Sequence, residues 1–150
     1  MTQDVPPSAT NIPSPSGQAP LVVGLDLGGT KMAAALVDVN GALQGPVSSC
    51  PTPAHDGPDA MLNAISALVQ EVATTGTHQD PGRAVPIIAV GVGTAGVVDV
   101  ESGTILSATD AITGWAGTQV AAGVRERLVS AGLGALPVHV ENDVDAYAAG

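Results

Sequence analysis

Phenylalanine is absent from these 150 residues, and tryptophan, tyrosine and cysteine occur once each, as Trp115, Tyr147 and Cys50. Of the residues, 45% are apolar, mostly Ala and Val, so the core must rest on close backbone approach and many small contacts. One cysteine excludes an internal disulfide and fits a reducing compartment. Fixed cations are equally sparse. Lys31, Arg83, Arg125 and Arg127 stand against 14 acidic residues, for a net charge of −10. Phosphate-rich polymers are bound by clustered Lys and Arg, so this balance argues against a nucleic-acid partner. No apolar run approaches membrane-spanning length. The opening stretch "MTQDVPPSATNIPSPSGQAP" lacks the charged and apolar regions of a signal peptide. Together these absences predict a cytoplasmic protein with no membrane partner.

What is present divides into a tail and a patterned region. Residues 1–20 are rich in Pro, Ser, Thr and Gln and can bury little, which predicts a disordered tail. From Leu21 the stretches "LVVGLDL", "KMAAALVDV" and "ALQGPVSS" read as three consecutive strands, the last two joined by a turn at Asn40-Gly41. "PDAMLNAISALVQEVATTG" reads as a helix that opens on Pro58, buries Ala60, Met61, Ala64, Ile65, Leu68, Val69 and Val72, and stops at Gly76. A buried strand "IIAVGVG", a hairpin formed by "VVDV" and "TILSA", and a loop "TDAITGWAG" follow. The helix "TQVAAGVRERLVSAGLG" turns Val120, Ala121, Val124 and Leu128 inward, and "LPVHVEN" is a strand. "DVDAYAAG" begins a helix that is cut short, which predicts either further sequence beyond Gly150 or a frayed terminus. The order implies an α/β fold, with a mixed sheet that begins as a three-stranded antiparallel meander and is flanked by helices. The expected units are a lobe over 21–138 and the incomplete start of a second segment over 139–150.

Three stretches carry candidate chemistry. In "GLDLGGTK", Gly28 and Gly29 can adopt positive φ and bring backbone N–H groups to an anion. Thr30 adds a hydroxyl and Lys31 a cation, while Asp26 can hold a Mg²⁺ or its waters. The layout suits a metal-bound polyphosphate, although an ordinary Gly-Gly turn with a solvated Lys31 fits the same residues. It is not a Walker A loop, because a strand follows rather than a helix. "GVGTAG" matches G-x-G-x-x-G, but a β-branched run follows it too, which speaks against a dinucleotide site. A glycine-lined bend near a small ligand, or a plain packing turn, fits better. In "HVENDVDAY", Asn142 and Asp143 stand where a strand gives way to a helix. Either can be an N-cap. Asp143 is equally well placed to accept a proton from a substrate hydroxyl that Asn142 orients. His55, His78 and His139 are scattered and do not suggest a metal site.

Taken together, "GLDLGGTK", "GVGTAGVVDVESGTI", "TDAITGWAG" and "VHVENDVDAYAAG" resemble the ROK family (repressors, open reading frames, kinases) of the sugar kinase/Hsp70/actin superfamily, from about Leu21 to Gly150. The resemblance implies the N-terminal half of a glucokinase-like enzyme with a ribonuclease H-like (actin-like ATPase) lobe. It also implies ATP- and Mg²⁺-dependent phosphorylation of a hexose or N-acetylhexosamine, and a homodimer in the complete protein. By position, Asp26, Gly28, Gly29, Thr30 and Lys31 match the first phosphate motif. Gly96, Thr109 and Asp110 fall where similar kinases touch the sugar. Asn142 matches the substrate-binding Asn, and Asp143 the catalytic base, itself in contact with substrate. Asp110 or Ala111 stands where an Asn is usual, and Ala95 where Pro is common. The family's zinc motif, second phosphate motif and adenosine pocket would lie beyond Gly150. The alternatives are a non-catalytic sugar-sensing regulator of the same family, or a scaffold that retains the lobe.

Overall fold

In the computed structural model, residues 20–78, 87–108 and 111–142 are described, with the backbone alone for 75–78. The expectations for residues 1–19, Thr109, Asp110, Asp143 and the final helix lie outside them.

The alternation of "LVVGLDL" produces β1 (Leu21–Leu27), with Val23, Leu25 and Leu27 buried on one side. It pairs antiparallel with β2 (Lys31–Asp38), which pairs antiparallel with β3 (Ser48–Pro51). The meander therefore forms, but its third strand starts later than the apolar pattern suggests. Residues 43–47 contribute an isolated bridge, Val37 to Leu43, before β3 begins. The turn between β2 and the bridge is organised by Asp38. Its Oδ1 accepts from the N–H groups of Asn40 and Ala42, at 2.8 and 2.9 Å. Gly41 sits at φ 88°.

The chain then crosses through α1 (Pro58–His78) to β4 (Ile87–Thr94), which lies parallel to β1. A short hairpin of β5 (Val97–Asp99) and β6 (Thr104–Ser107) precedes α2 (Val120–Ser130), and α2 leads to β7 (Val138–Asn142), parallel to β4. The main sheet has five strands in the order β3-β2-β1-β4-β7. It is a mixed α/β architecture of the actin-like kind.

Both helices cover one face. Met61, Ile65, Leu68, Val69 and Val72 of α1, and Val120, Ala121, Val124 and Leu128 of α2, join one cluster with Val23, Leu25, Met32, Val90 and Val140. Ala60 and Ala64 are only half-buried, whereas Leu62 is buried. Its packing depends on Gly123 of α2, where a Cβ would come within 2.6 Å of Leu62 Cδ1. Arg127 ties the helices on the outside, its Nε donating to Asn63 Oδ1 at 2.7 Å. On the opposite face, a Cβ added at Gly91 would meet nothing within 4 Å.

Helix α1 does not stop at Gly76, because an interior glycine weakens a helix by only about 1 kcal/mol and does not end it. Helix α2 does stop before its pattern runs out. Leu133 N donates to Leu128 O and Gly132 N to Val129 O, with Gly132 at φ 88°, which is a Schellman ending. At the other end Gln119 provides no side-chain cap. The carbonyl of Gly103, in the β5–β6 turn, accepts from Val120 N and Ala121 N instead.

Candidate functional site

The parallel register decides which chemistry meets. Across β1, β4 and β7, Asp26 stands level with Gly93 and Glu141, and Leu27 with Thr94 and Asn142. The carboxyl ends of these strands share one edge of the sheet. The turn after β1, the bend after β4 and the end of β7 therefore open onto the same side. Neighbouring strands lie about 4.8 Å apart, so Leu27 and Asn142 are separated by about 10 Å. Open α/β sheets keep ligands at such an edge.

The turn at Gly28–Lys31 is held by its own backbone and by the end of β3. Gly28 N donates to Lys31 O at 3.0 Å. Thr52 Oγ1 donates to Gly28 O at 2.8 Å, and Thr52 N donates to Thr30 O at 2.9 Å. Neither Gly28 nor Gly29 takes a positive φ, contrary to the expectation for this turn. Glycine is needed at Gly28 for a different reason. A Cβ there would lie 2.7 Å from the Lys31 carbonyl oxygen. At Gly29 it would make only ordinary contact, 3.6 Å from Ala111 Cβ. Asp26, Gly29, Thr30 and Lys31 are all exposed, so a carboxylate, a hydroxyl and an ammonium are available around one tight turn.

At the bend, Gly96 does require a left-handed conformation, with φ 101°, and a Cβ would come within 2.5 Å of Ser107 O. No helix opens here, since β5 follows directly. The "GVGTAG" stretch is thus a strand-bend-strand. The Asn142 side-chain amide donates to the carbonyl of Gly96, which joins two of the predicted sugar-site residues.

Trp115, only 1% exposed, fixes the loop that closes this edge. Its indole Nε1 donates to Thr94 Oγ1 at 3.3 Å, and that hydroxyl donates to Ala95 O. Thr113 N donates to Ala54 O at 2.7 Å, and His55 Nδ1 lies 3.2 Å from Thr113 Oγ1. Ala108 lies against Gly96, and Ala111 against Gly29. Bend, loop and turn are therefore continuous in space. Thr109, Asp110 and Asp143 lie outside the described residues.

Sequence reasoning missed Thr52 and Thr94. Both are single hydroxyls whose partners are 24 and 21 residues away, and no local motif marks them. On β3, burial and the neighbouring Glu71 carboxylate push the Cys50 thiol up. Among the described residues no cluster of His, Cys, Asp and Glu could hold a metal on protein ligands alone.

Comparison with known proteins agrees with this layout. The model of the ROK family matches residues 22–150. A glucokinase of Streptomyces coelicolor is 35% identical over 130 residues, covering 87% of this chain but 35% of that protein. The chain thus spans about a third of this relative's length. A ROK glucokinase of Streptomyces griseus, solved with glucose and AMPPNP, superposes with a TM-score of 0.67 at 33% identity, over 85% of this chain and 35% of that one. A ROK transcriptional regulator homologous to E. coli MLC gives a TM-score of 0.68 at 18% identity, over 87% of this chain and 29% of that one, which is a likeness of fold.

Proposed function

Because this chain belongs to the ROK family, we propose that the protein containing it is an ATP-dependent sugar kinase that phosphorylates a hexose or N-acetylhexosamine, with glucose as the first candidate. The observation that carries this reading is the meeting of the Gly28–Lys31 turn, the Gly96 bend and the end of β7 at one sheet edge. A nucleotide's phosphates and an alcohol have to be brought together in just such a place.

The exposed residues of the turn fit a triphosphate. Lys31 and the Thr30 hydroxyl would bind phosphate oxygens, and the Asp26 carboxylate would hold Mg²⁺ through water. Magnesium, when bound, neutralises charge on the triphosphate. Asn142 and Gly96 belong to the sugar side, with Thr109 and Asp110. Asp143 takes the proton of the sugar hydroxyl. As it does so, the sugar oxygen forms its bond to the γ-phosphorus, the bond from that phosphorus to the bridging oxygen breaks, and ADP leaves. Positioning and electrostatic stabilisation supply most of the acceleration.

The relatives' greater length bears on activity. A second lobe must close over the sugar and nucleotide to exclude water, so the activity belongs to the complete protein. The same reading makes that protein a cytoplasmic homodimer without nucleic-acid or membrane partners. Among the described residues no helix is long and apolar enough to cross a membrane.

The test is a panel of glucose, mannose, fructose, N-acetylmannosamine and N-acetylglucosamine, each given with ATP and Mg²⁺ to the complete protein while ADP and sugar phosphate are followed. At least one sugar is expected to turn over. No phosphorylation of any member would refute the reading.

A further inference from the structure

We propose that Thr52 is a positioning residue for the phosphate turn, an inference that rests on the kinase reading above. A turn that receives an anion must keep its carbonyl oxygens directed elsewhere, since their partial negative charge repels phosphate. Two carbonyls of this turn, those of Gly28 and Thr30, are both taken by Thr52, one through its hydroxyl and one through its backbone N–H.

The placement of Thr52 is itself fixed. Pro51, just before it, is the last residue of β3 and stands opposite Lys31 in the β2–β3 register. Pro53, just after it, restricts Thr52 to extended backbone. Ala54 N donates back to Thr52 O at 2.8 Å, and Ala54 O accepts from Thr113 N. The Thr52–Ala54 segment is therefore a strap. One end holds the phosphate turn and the other holds the loop carrying Trp115. The hydroxyl of Thr52 is spent on the Gly28 carbonyl. It acts by holding the Gly28 peptide in the orientation that the triphosphate meets.

Three variants of the complete protein test this. Thr52→Val keeps the shape and the backbone bond but removes the hydroxyl donor, Thr52→Ser keeps the donor, and Thr52→Ala replaces Thr52→Val if the latter does not fold. Binding of AMPPNP and the KM values for ATP and hexose are measured for each. Loss of one such hydrogen bond is expected to weaken AMPPNP binding and raise the KM for ATP about 5- to 10-fold. The KM for hexose is expected to stay within about twofold of the parent, and Thr52→Ser to recover nucleotide binding. Unchanged nucleotide affinity in the hydroxyl-less variant would overturn the proposal. So would equal rises in both KM values, or a Ser variant as weak as the Val variant. If the parent protein binds no nucleotide and phosphorylates no sugar, the kinase reading fails and takes this inference with it. A parent that is active beside an unaffected Thr52→Val variant fails the inference alone.

Discussion

The side-chain amide of Asn142 donates to the carbonyl oxygen of Gly96, 46 residues away, and so fastens the end of β7 to the bend after β4. That bend also depends on Gly96 having no side chain. Its φ of 101° disfavours any L-residue, and a Cβ would strike Ser107 O. Gly96→Ala is therefore expected to destabilise the fold by about 1–3 kcal/mol. Denaturant unfolding measures it, and a midpoint equal to that of the parent would contradict the geometry.

The two glycines of the Gly28–Lys31 turn are expected to behave differently. Gly28→Ala forces a Cβ onto the Lys31 carbonyl at 2.7 Å, whereas Gly29→Ala reaches only ordinary contact with Ala111. The first substitution should weaken nucleotide binding by tenfold or more, because the turn must move to accept it. The second should leave the turn in place and change affinity by less than about threefold. Calorimetry with AMPPNP on the two variants decides this, and equal effects would contradict a close approach at Gly28 alone.

Trp115 is the sole tryptophan, is 1% exposed and is bonded to Thr94, in the strand that leads into the Gly96 bend. Its emission should be blue-shifted and poorly quenched by iodide. Because its loop adjoins both bend and turn, hexose binding to the complete protein should change the part of the emission that Trp115→Phe removes. Trp115→Ala removes a fully buried ring and is expected to cost about 3–5 kcal/mol of stability. Fluorescence titration and unfolding curves supply the check.

How much of this was legible in the residues depended on range. The first strand alternates from Val23 to Leu27, and the inward face of α2 follows from its spacing, whereas on α1 Leu62 is buried and Ala60 and Ala64 are only half-buried. The third strand is not legible in this way. "SSCP" is polar and sits at a sheet edge, where its pairing with β2 comes from register and not from any apolar pattern. Gly76 marks a false stop, while Gly132, which does end its helix, lies inside the stretch whose spacing reads as helical. In the candidate site, the turn, the bend and Asn142 are legible because their residues are clustered in short motifs. The Thr52 clamp and the Trp115–Thr94 bond were not, since each joins segments more than 20 residues apart. Gly28 is free to adopt positive φ but does not, and its lack of a Cβ serves the close approach of the Lys31 carbonyl instead.

Cys50 offers a control unrelated to catalysis. Its thiol is half-buried and held above the ordinary range by burial and by Glu71. A raised value leaves little thiolate at neutral pH, so iodoacetamide should label the folded protein slowly at pH 7. Labelling should accelerate as pH rises beyond the range of a free thiol, and unfolding should remove the protection. Rapid modification of folded protein at pH 7 would contradict the packing at β3. Glu71→Gln removes the repelling charge and should shift the labelling profile toward lower pH.

On the proposed reading, the sheet edge built by β1, β4 and β7 brings a nucleotide's phosphates to an alcohol next to the residue that follows Asn142. The most direct test of that reading is the rate of hexose phosphorylation by the complete protein beside its Asp143→Asn variant, at saturating ATP and sugar. A general base there predicts that the variant falls by about 10²–10⁴-fold while still binding AMPPNP. A variant that phosphorylates the sugar at close to the parent rate would show that Asp143 is not the base.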